Sequence, residues 1–170
     1  MKIRPEQPAD VDAIRELVRL AFTGHAYSNG TEPLIIDALR EDGALALSLV
    51  AEVDGTVVAH IAFSAGAVGG STPGWFVVGP VAVHPDYQRR GIGSELIEAS
   101  LDVMRSRNTR GCVLVGEPDF YGHFGFRRCS HVNWPGVPDE YVLCLPFSEE
   151  EPAGEIAYHP AFLVGDEQRG

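Results

Sequence analysis

Val81-Ala82-Val83-His84-Pro85-Asp86-Tyr87-Gln88-Arg89-Arg90-Gly91-Ile92-Gly93-Ser94 runs directly into the amphipathic stretch Glu95 to Met104. The order is an apolar strand, a Pro-Asp turn, a basic loop with two glycines, and a helix start. Such a junction leaves the backbone N–H groups of the first helical turn unpaired and facing outward, with the positive end of the helix dipole behind them. It is an anion site, and a phosphate is the anion that suits it. Gly91 and Gly93 carry no Cβ, so a phosphate can approach the main chain. Arg89 and Arg90 add positive charge, Ile92 adds an amide, and Ser94 adds a hydroxyl. Two other phosphate loops are excluded on residues: there is no Gly-x-x-x-x-Gly-Lys-Ser/Thr, and no Gly-x-Gly-x-x-Gly follows the first strand. The competing reading is a glycine-rich turn with solvated arginines.

Gln88, Gly91 and Gly93 stand at the spacing Gln/Arg-x-x-Gly-x-Gly/Ala. This resembles the acyl-coenzyme A signature of the GNAT superfamily of N-acetyltransferases. A second match lies downstream in Asp119-Phe120-Tyr121-Gly122-His123-Phe124-Gly125-Phe126, where Tyr121 stands four residues before a Gly-Phe pair. The resemblance implies that Tyr121 is the general acid that reprotonates the departing coenzyme A thiolate. A phenol suits this role, since it is protonated at neutral pH and can hand its proton to a thiolate of lower pKa. The alternative is a core aromatic beside Phe120, Phe124 and Phe126. The asparagine that the family often places before this helix is replaced by Val115-Gly116-Glu117-Pro118, so that contact is not carried over.

A chain of 170 residues fits one domain by size, and the expectation is a single domain over 1–170 with 145–170 as an extension packed on it. No apolar run reaches the length of a membrane helix, and Met1 to Pro5 lacks a signal-peptide core. A cytoplasmic protein without a membrane partner is expected. Cys112, Cys129 and Cys144 are odd in number and far apart, which reads as three buried thiols without structural zinc. A net charge of −11 and a pI near 4.8 argue against nucleic acid, whose phosphates need a basic footprint. A homodimer is compatible with this composition.

Ile3 starts a first strand, and Asp10 is placed to cap a helix with Val11, Ile14, Leu17, Val18 and Ala21 on one face. A second helix is expected over Glu32 to Arg40. Strands Ala46 to Val53 and Thr56 to Ala65 flank Asp54-Gly55, a strong hairpin signal. A fourth strand follows over Trp75 to Val83, then the phosphate loop, a third helix, and a fifth strand near Cys112 to Val115. Strand, helix, strand in that order makes strands four and five parallel. The remaining pairs are expected to be antiparallel, with Phe126 to Val132 and Glu140 to Leu145 as a final pair. The last twenty-five residues read as irregular except where Ile156 to Tyr158 and Ala161 to Leu163 pack down. The fold class is therefore α/β with a mixed sheet and about four helices. The resemblance implies further that strands four and five splay apart, with the acyl-pantetheine arm held by backbone groups of Val81, Ala82 and Val83.

The reaction implied is acetyl transfer from acetyl-coenzyme A to an amine by direct attack. Such a reaction needs a deprotonated amine, an oriented thioester and a donor for the thiolate. Glu117, just before the Tyr121 helix, is the candidate base acting through water, with a solvated turn carboxylate as the alternative. His25, Tyr27 and Glu32 are candidate acceptor contacts. His84 reads as a turn histidine more readily than as a base, and Cys112 leaves a covalent acyl-enzyme open. Three functions remain: a small-molecule amine N-acetyltransferase, a protein or peptide N-acetyltransferase, and a non-catalytic acyl-coenzyme A sensor.

Overall fold

The computed structural model describes residues 1–25, 28–70 and 73–164. They gather into two compact units. The first comprises Met1–Phe63, Gly79–Ser100 and the described residues from Pro160 on, and the second Ser64–Val78 and Leu101–His159.

The first unit contains β1 (Lys2–Pro5), α1 (Val11–Phe22), α2 (Glu32–Glu41), β2 (Leu45–Val53), most of β3 (Thr56–Val68), the latter half of β4 (Trp75–Val83) and the start of α3 (Ile92–Ser106). Its strands follow the order β1-β2-β3-β4. β1 runs antiparallel to β2 from Lys2↔Glu52 to Pro5↔Leu49. Asp54 (φ 50°) and Gly55 (φ 79°) turn β2 into β3, both with the positive φ that a two-residue hairpin turn requires. Ile14, Leu17 and Val18 of α1 are buried against Ile36, Val50 and Ala82. Each such side chain contributes about 1.5–3 kcal/mol by leaving water, which stabilises a twelve-residue helix that would be marginal alone. On α2, Ile35 and Leu39 bury against Ala161, so the C-terminal turn Pro160–Leu163 packs down as expected.

Asp10 behaves differently from the expectation. Its carboxylate accepts the Gln7 amide at 2.7 Å and two Arg4 donors at 2.7 and 3.0 Å. It therefore ties β1 to the approach of α1 rather than capping the helix.

A buried polar network lies between α2 and the strands. Arg40 donates to both oxygens of Glu6 at 2.9 and 2.8 Å, Ser48 Oγ donates to Glu6 Oε1 at 2.7 Å, and Ser48 Oγ lies 2.8 Å from His60 Nε2. Although His60 Nε2 is also 3.7 Å from Glu6 Oε1, the imidazole is neutral. Complete burial pushes its pKa down to about 4, the Glu6 carboxylate raises it less, and Arg40 opposes the charge. Since Ser48 donates to Glu6, His60 donates from Nε2 and its buried Nδ1 lone pair has no partner among the described residues.

The second unit contains the start of β4, the end of α3, β5 (Gly111–Val115), α4 (Pro118–Tyr121), β6 (Arg127–Arg128), β7 (Val132–Asn133), β8 (Val142–Pro146) and β9 (Gly154–Ala157). The order is β4-β5-β8-β6. β4 pairs parallel with β5 from Trp75↔Gly111 to Val77↔Val113, and β5 pairs antiparallel with β8 along its full length. Trp75, Val113, Leu114 and Leu143 are buried here. The mixed sheet with a parallel β4–β5 pair and four α-helices is the architecture expected.

Four expectations are corrected. The strand anticipated over Phe126 to Val132 is two strands: β6 pairs with β8, while β7 pairs in parallel with β9. That second parallel pair also breaks the expectation that all other pairing is antiparallel. Residues 154–157 form β9, which adds antiparallel to the end of β3 through Ala67↔Ala157 and Val68↔Ile156, so this part of the tail is regular. Finally, Cys129 and Cys144 are joined as a disulfide with Cα atoms 6.1 Å apart, leaving Cys112 as the free thiol. Fifteen residues separate them in the chain, and only the return of β8 beside β6 brings them together.

Candidate functional site

The first group of candidate residues lies wholly in the first unit, at the end of β4. His84 donates its amide to Val58 O at 2.8 Å, and its Nδ1 accepts the Asp86 amide at 3.1 Å. The ring thus caps the turn Pro85–Tyr87. Gln88 reaches back, its Nε2 donating to Val83 O at 3.0 Å, and so staples the loop to the strand. Arg89 has φ 65° and Gly91 φ 80°, two left-handed residues that fold the loop over the helix start. At Gly91 a Cβ would meet nothing within 4 Å, so glycine serves there for conformation; at Gly93 a Cβ would lie 3.2 Å from Val83 Cγ2, so glycine serves there for space.

The electrostatic consequence is in the amides. Among the described residues, the N–H groups of Arg89, Arg90, Gly91, Ile92, Gly93 and Ser94 make no hydrogen bond within the protein, and the first that does is Glu95, to Gly91 O at 3.0 Å. Six consecutive free donors thus stand at the start of a fifteen-residue helix, an arrangement suited to an anion. Gly91 is exposed, which leaves the approach open. Arg90 stacks over Tyr87, its guanidinium carbon 5.2 Å from the ring centroid. Of Val81, Ala82 and Val83, only Ala82 is fully buried, in the core beneath α1.

The second group lies in the second unit, after β5. Glu117 precedes α4, is exposed, and gives its carbonyl to the Tyr121 amide at 3.1 Å. Its carboxylate has no partner among the described residues. The Tyr121 ring packs edge-on against Phe120, with centroids 4.9 Å apart, and against Phe126 at 6.0 Å. Its hydroxyl has no hydrogen-bond partner among the described residues, and burial pushes the phenol up to about 12. Gly125 has φ 96° and turns the chain so that Phe126 returns beneath the tyrosine. The phenol thus stands beside two aromatic rings with no acceptor for its hydroxyl among the described residues.

A cavity of ≈ 340 Å³ sits in the first unit between the end of α1 and the start of α2, lined by Arg19, Phe22, His25, Ser28 and Glu32 among others. The structure thus brings His25 and Glu32 to one cavity, with the Ser28 hydroxyl donating to the Glu32 carboxylate. Tyr27 lies outside the described residues. Cys112 is fully buried and its thiol is pushed up to about 12 by that burial, which makes it a poor nucleophile. Among the described residues, no group of His, Cys, Asp and Glu is arranged to hold a metal ion, and no helix is long and apolar enough to cross a membrane.

The sequence reading did not anticipate the Gln88 staple or the polar network beneath α2. The first depends on loop closure, and the second joins residues up to 42 positions apart.

Residues 11–126 match the model of the acetyltransferase (GNAT) family. The uncharacterised N-acetyltransferase YhbS of Escherichia coli is 34% identical over 148 residues, covering 84% of this chain and 86% of that protein. A GNAT family acetyltransferase from Brucella melitensis, crystallised with acetyl-CoA, is 45% identical, covers 95% of this chain and 97% of its own, and superposes with a TM-score of 0.84. The YhbS structure with CoA, 30% identical, covers 95% of this chain and 91% of its own with a TM-score of 0.85. A phosphate-ready helix start, a tyrosine before Gly-Phe and a family match spanning both make the conclusion direct: this chain belongs to the GNAT family of acetyltransferases.

Proposed function

We propose that the protein transfers the acetyl group of acetyl-coenzyme A to the primary amine of a small molecule or amino-acid-like acceptor. The observation that carries the reading is the run of six unpaired amides from Arg89 to Ser94, which fits a pyrophosphate and has no other use within the protein. Arg89 and Arg90 neutralise the remaining phosphate charge, and the backbone of Val81 to Val83 binds the pantetheine arm as a neighbouring strand would. The relative from Brucella melitensis, crystallised with acetyl-CoA, supports the same ligand here.

The chemistry is direct attack. The acceptor nitrogen adds to the thioester carbonyl, the C–S bond breaks, Tyr121 Oη gives its proton to the departing sulfur, and the proton shed by the new amide nitrogen returns through water to the phenolate. Burial pushes the phenol up to about 12, so it is protonated at neutral pH. Glu117, exposed and unpaired, takes a proton from the acceptor ammonium through water. The cavity with His25 and Glu32 is the proposed acceptor site, where a carboxylate favours a cationic amine.

A panel of primary amines, assayed for coenzyme A thiol release, tests this. Turnover of small amines or amino acid derivatives, with none for peptides, is the expected outcome. Turnover of peptides alone would transfer the assignment to a protein N-acetyltransferase, and tight acetyl-coenzyme A binding with no turnover on any amine would favour a sensor.

A further inference from the structure

Gly116 closes β5, immediately before Glu117 and α4. Its φ lies outside the left-handed region, so its conformation does not call for glycine. Space does. A Cβ added there would lie 2.8 Å from Tyr121 Cδ2, closer still to Cε2, and 3.2 Å from Leu114 Cδ1. The Cδ2–Cε2 side of the tyrosine ring therefore occupies the space a side chain at position 116 would need.

Neither backbone can retreat. Gly116 N donates to Tyr141 O at 3.0 Å, extending the β5–β8 ladder one step past Val115↔Val142. Tyr121 is fixed by its own amide on Glu117 O at 3.1 Å and by the Phe126 amide on Tyr121 O at 3.3 Å. Phe120 and Phe126 confine the ring by their edges. A methyl group at position 116 would thus be accommodated by rotation of the tyrosine ring. Relieving a contact of 2.8 Å moves the ring by several tenths of an ångström, and the hydroxyl, at the far end of the lever, by about 1 Å.

We propose that Gly116 is a positioning residue for the acetyl transfer: it seats the Tyr121 ring so that Oη–H points at the leaving sulfur. This rests on the reading of Tyr121 as the proton donor. The Oη–H bond breaks as the S–H bond forms, and a donor displaced by about 1 Å transfers that proton far more slowly. The added methyl meets the free end of a side chain rather than a backbone atom, so its effect falls on turnover more than on folding.

The test compares Gly116→Ala, Gly122→Ala, Tyr121→Phe and the double variant Gly116→Ala/Tyr121→Phe, using an amine that turns over with wild type. Gly122 is the control, since a Cβ there meets nothing within 4 Å and its φ is −60°. Gly116→Ala is expected to lower kcat on the order of 10- to 100-fold, with the KM for acetyl-coenzyme A nearly unchanged and a melting temperature close to wild type. Gly122→Ala should match wild type. The double variant should match Tyr121→Phe alone, because a missing hydroxyl cannot be misplaced. A crystal structure of Gly116→Ala should show the Tyr121 ring rotated. Wild-type kcat in Gly116→Ala with an impaired Tyr121→Phe would overturn the inference while leaving Tyr121 as the donor. Multiplicative losses in the double variant, or loss of folding in Gly116→Ala, would overturn it as well. An unimpaired Tyr121→Phe would remove the donor assignment, and the inference with it.

Discussion

Replacing Tyr121 with phenylalanine deletes one oxygen and keeps the ring. The hydroxyl has no hydrogen-bond partner among the described residues, so no protein hydrogen bond is lost and no buried partner is orphaned. The ring contacts with Phe120 and Phe126 persist. Stability should therefore change by less than about 0.5 kcal/mol, within the range of a surface substitution. If the hydroxyl protonates the thiolate, kcat should fall by about 10² to 10⁴, equivalent to about 3–5 kcal/mol of barrier. The two magnitudes differ by enough that one variant separates a donor from a packing residue. The assay is thiol release at saturating acetyl-coenzyme A and acceptor, with pre-steady-state traces to establish that chemistry limits the rate. Calorimetry should show acetyl-coenzyme A affinity within a few-fold of wild type. Since the phenol titrates near 12, any alkaline limb of kcat below pH 10 belongs to another group. An unchanged kcat under chemistry-limited conditions would falsify the assignment, and a fall in kcat matched by a large fall in melting temperature would mean that the ring's packing had been misread.

Acetyl-coenzyme A at one hundred times its Kd should stabilise the protein by about 2.7 kcal/mol and raise the melting temperature by a few degrees; no shift at millimolar ligand would sink the central claim. Gly91→Glu and Gly93→Glu should each abolish that shift by placing an anion among the free amides, and Gly93→Glu should also lower stability because its Cβ crowds Val83. Normal cofactor affinity in either variant would reduce the loop to a turn. Acid should destabilise the fold through His60, whose pKa falls from 6.5 to about 4 on burial. The unfolded chain takes up a proton that the folded one refuses, so stability is full above pH 6.5 and drains as pH falls toward 4, by at most about 3 kcal/mol. Glu6, whose pKa is lowered by hydrogen bonds from Arg40 and Ser48 despite the opposing cost of burial, adds a loss of the same sign at lower pH. Melting curves of wild type and His60→Gln from pH 7 to 4.5 check this, and equal slopes would show that His60 is not the titrating group.

Much of this protein is decided within short stretches of chain. The left-handed pair Asp54-Gly55, the helical stripe of Ile14, Leu17 and Val18, and the Gly-x-Gly helix start depend on backbone preference and periodicity over a few residues. For that reason the first five strands, the first three helices and the anion loop lie close to where the sequence alone puts them. The placement of Tyr121 before Gly125-Phe126 was legible for a similar reason, since that spacing is set by one short turn.

What only the tertiary structure decided is which surfaces meet. Nothing within Phe126 to Val132 shows that Arg127 and Arg128 pair with β8 while Val132 pairs with β9, because a strand's partner is chosen by the whole sheet. The same holds for Cys129 meeting Cys144, for β9 closing on β3, and for Arg40 of α2, Ser48 of β2, His60 of β3 and Glu6 after β1 sharing one partly buried network. Gln88 and Gly116 make the point within the site itself. The sequence motif names the first and is silent on the second; the folded loop ties the Gln88 side chain to Val83 O, and the β5–β8 ladder holds Gly116 against the Tyr121 ring. Local sequence determines conformation where the relevant forces act along the chain; steric fit, burial and hydrogen-bond partnership act across it, and they exist only once distant segments have been brought into contact.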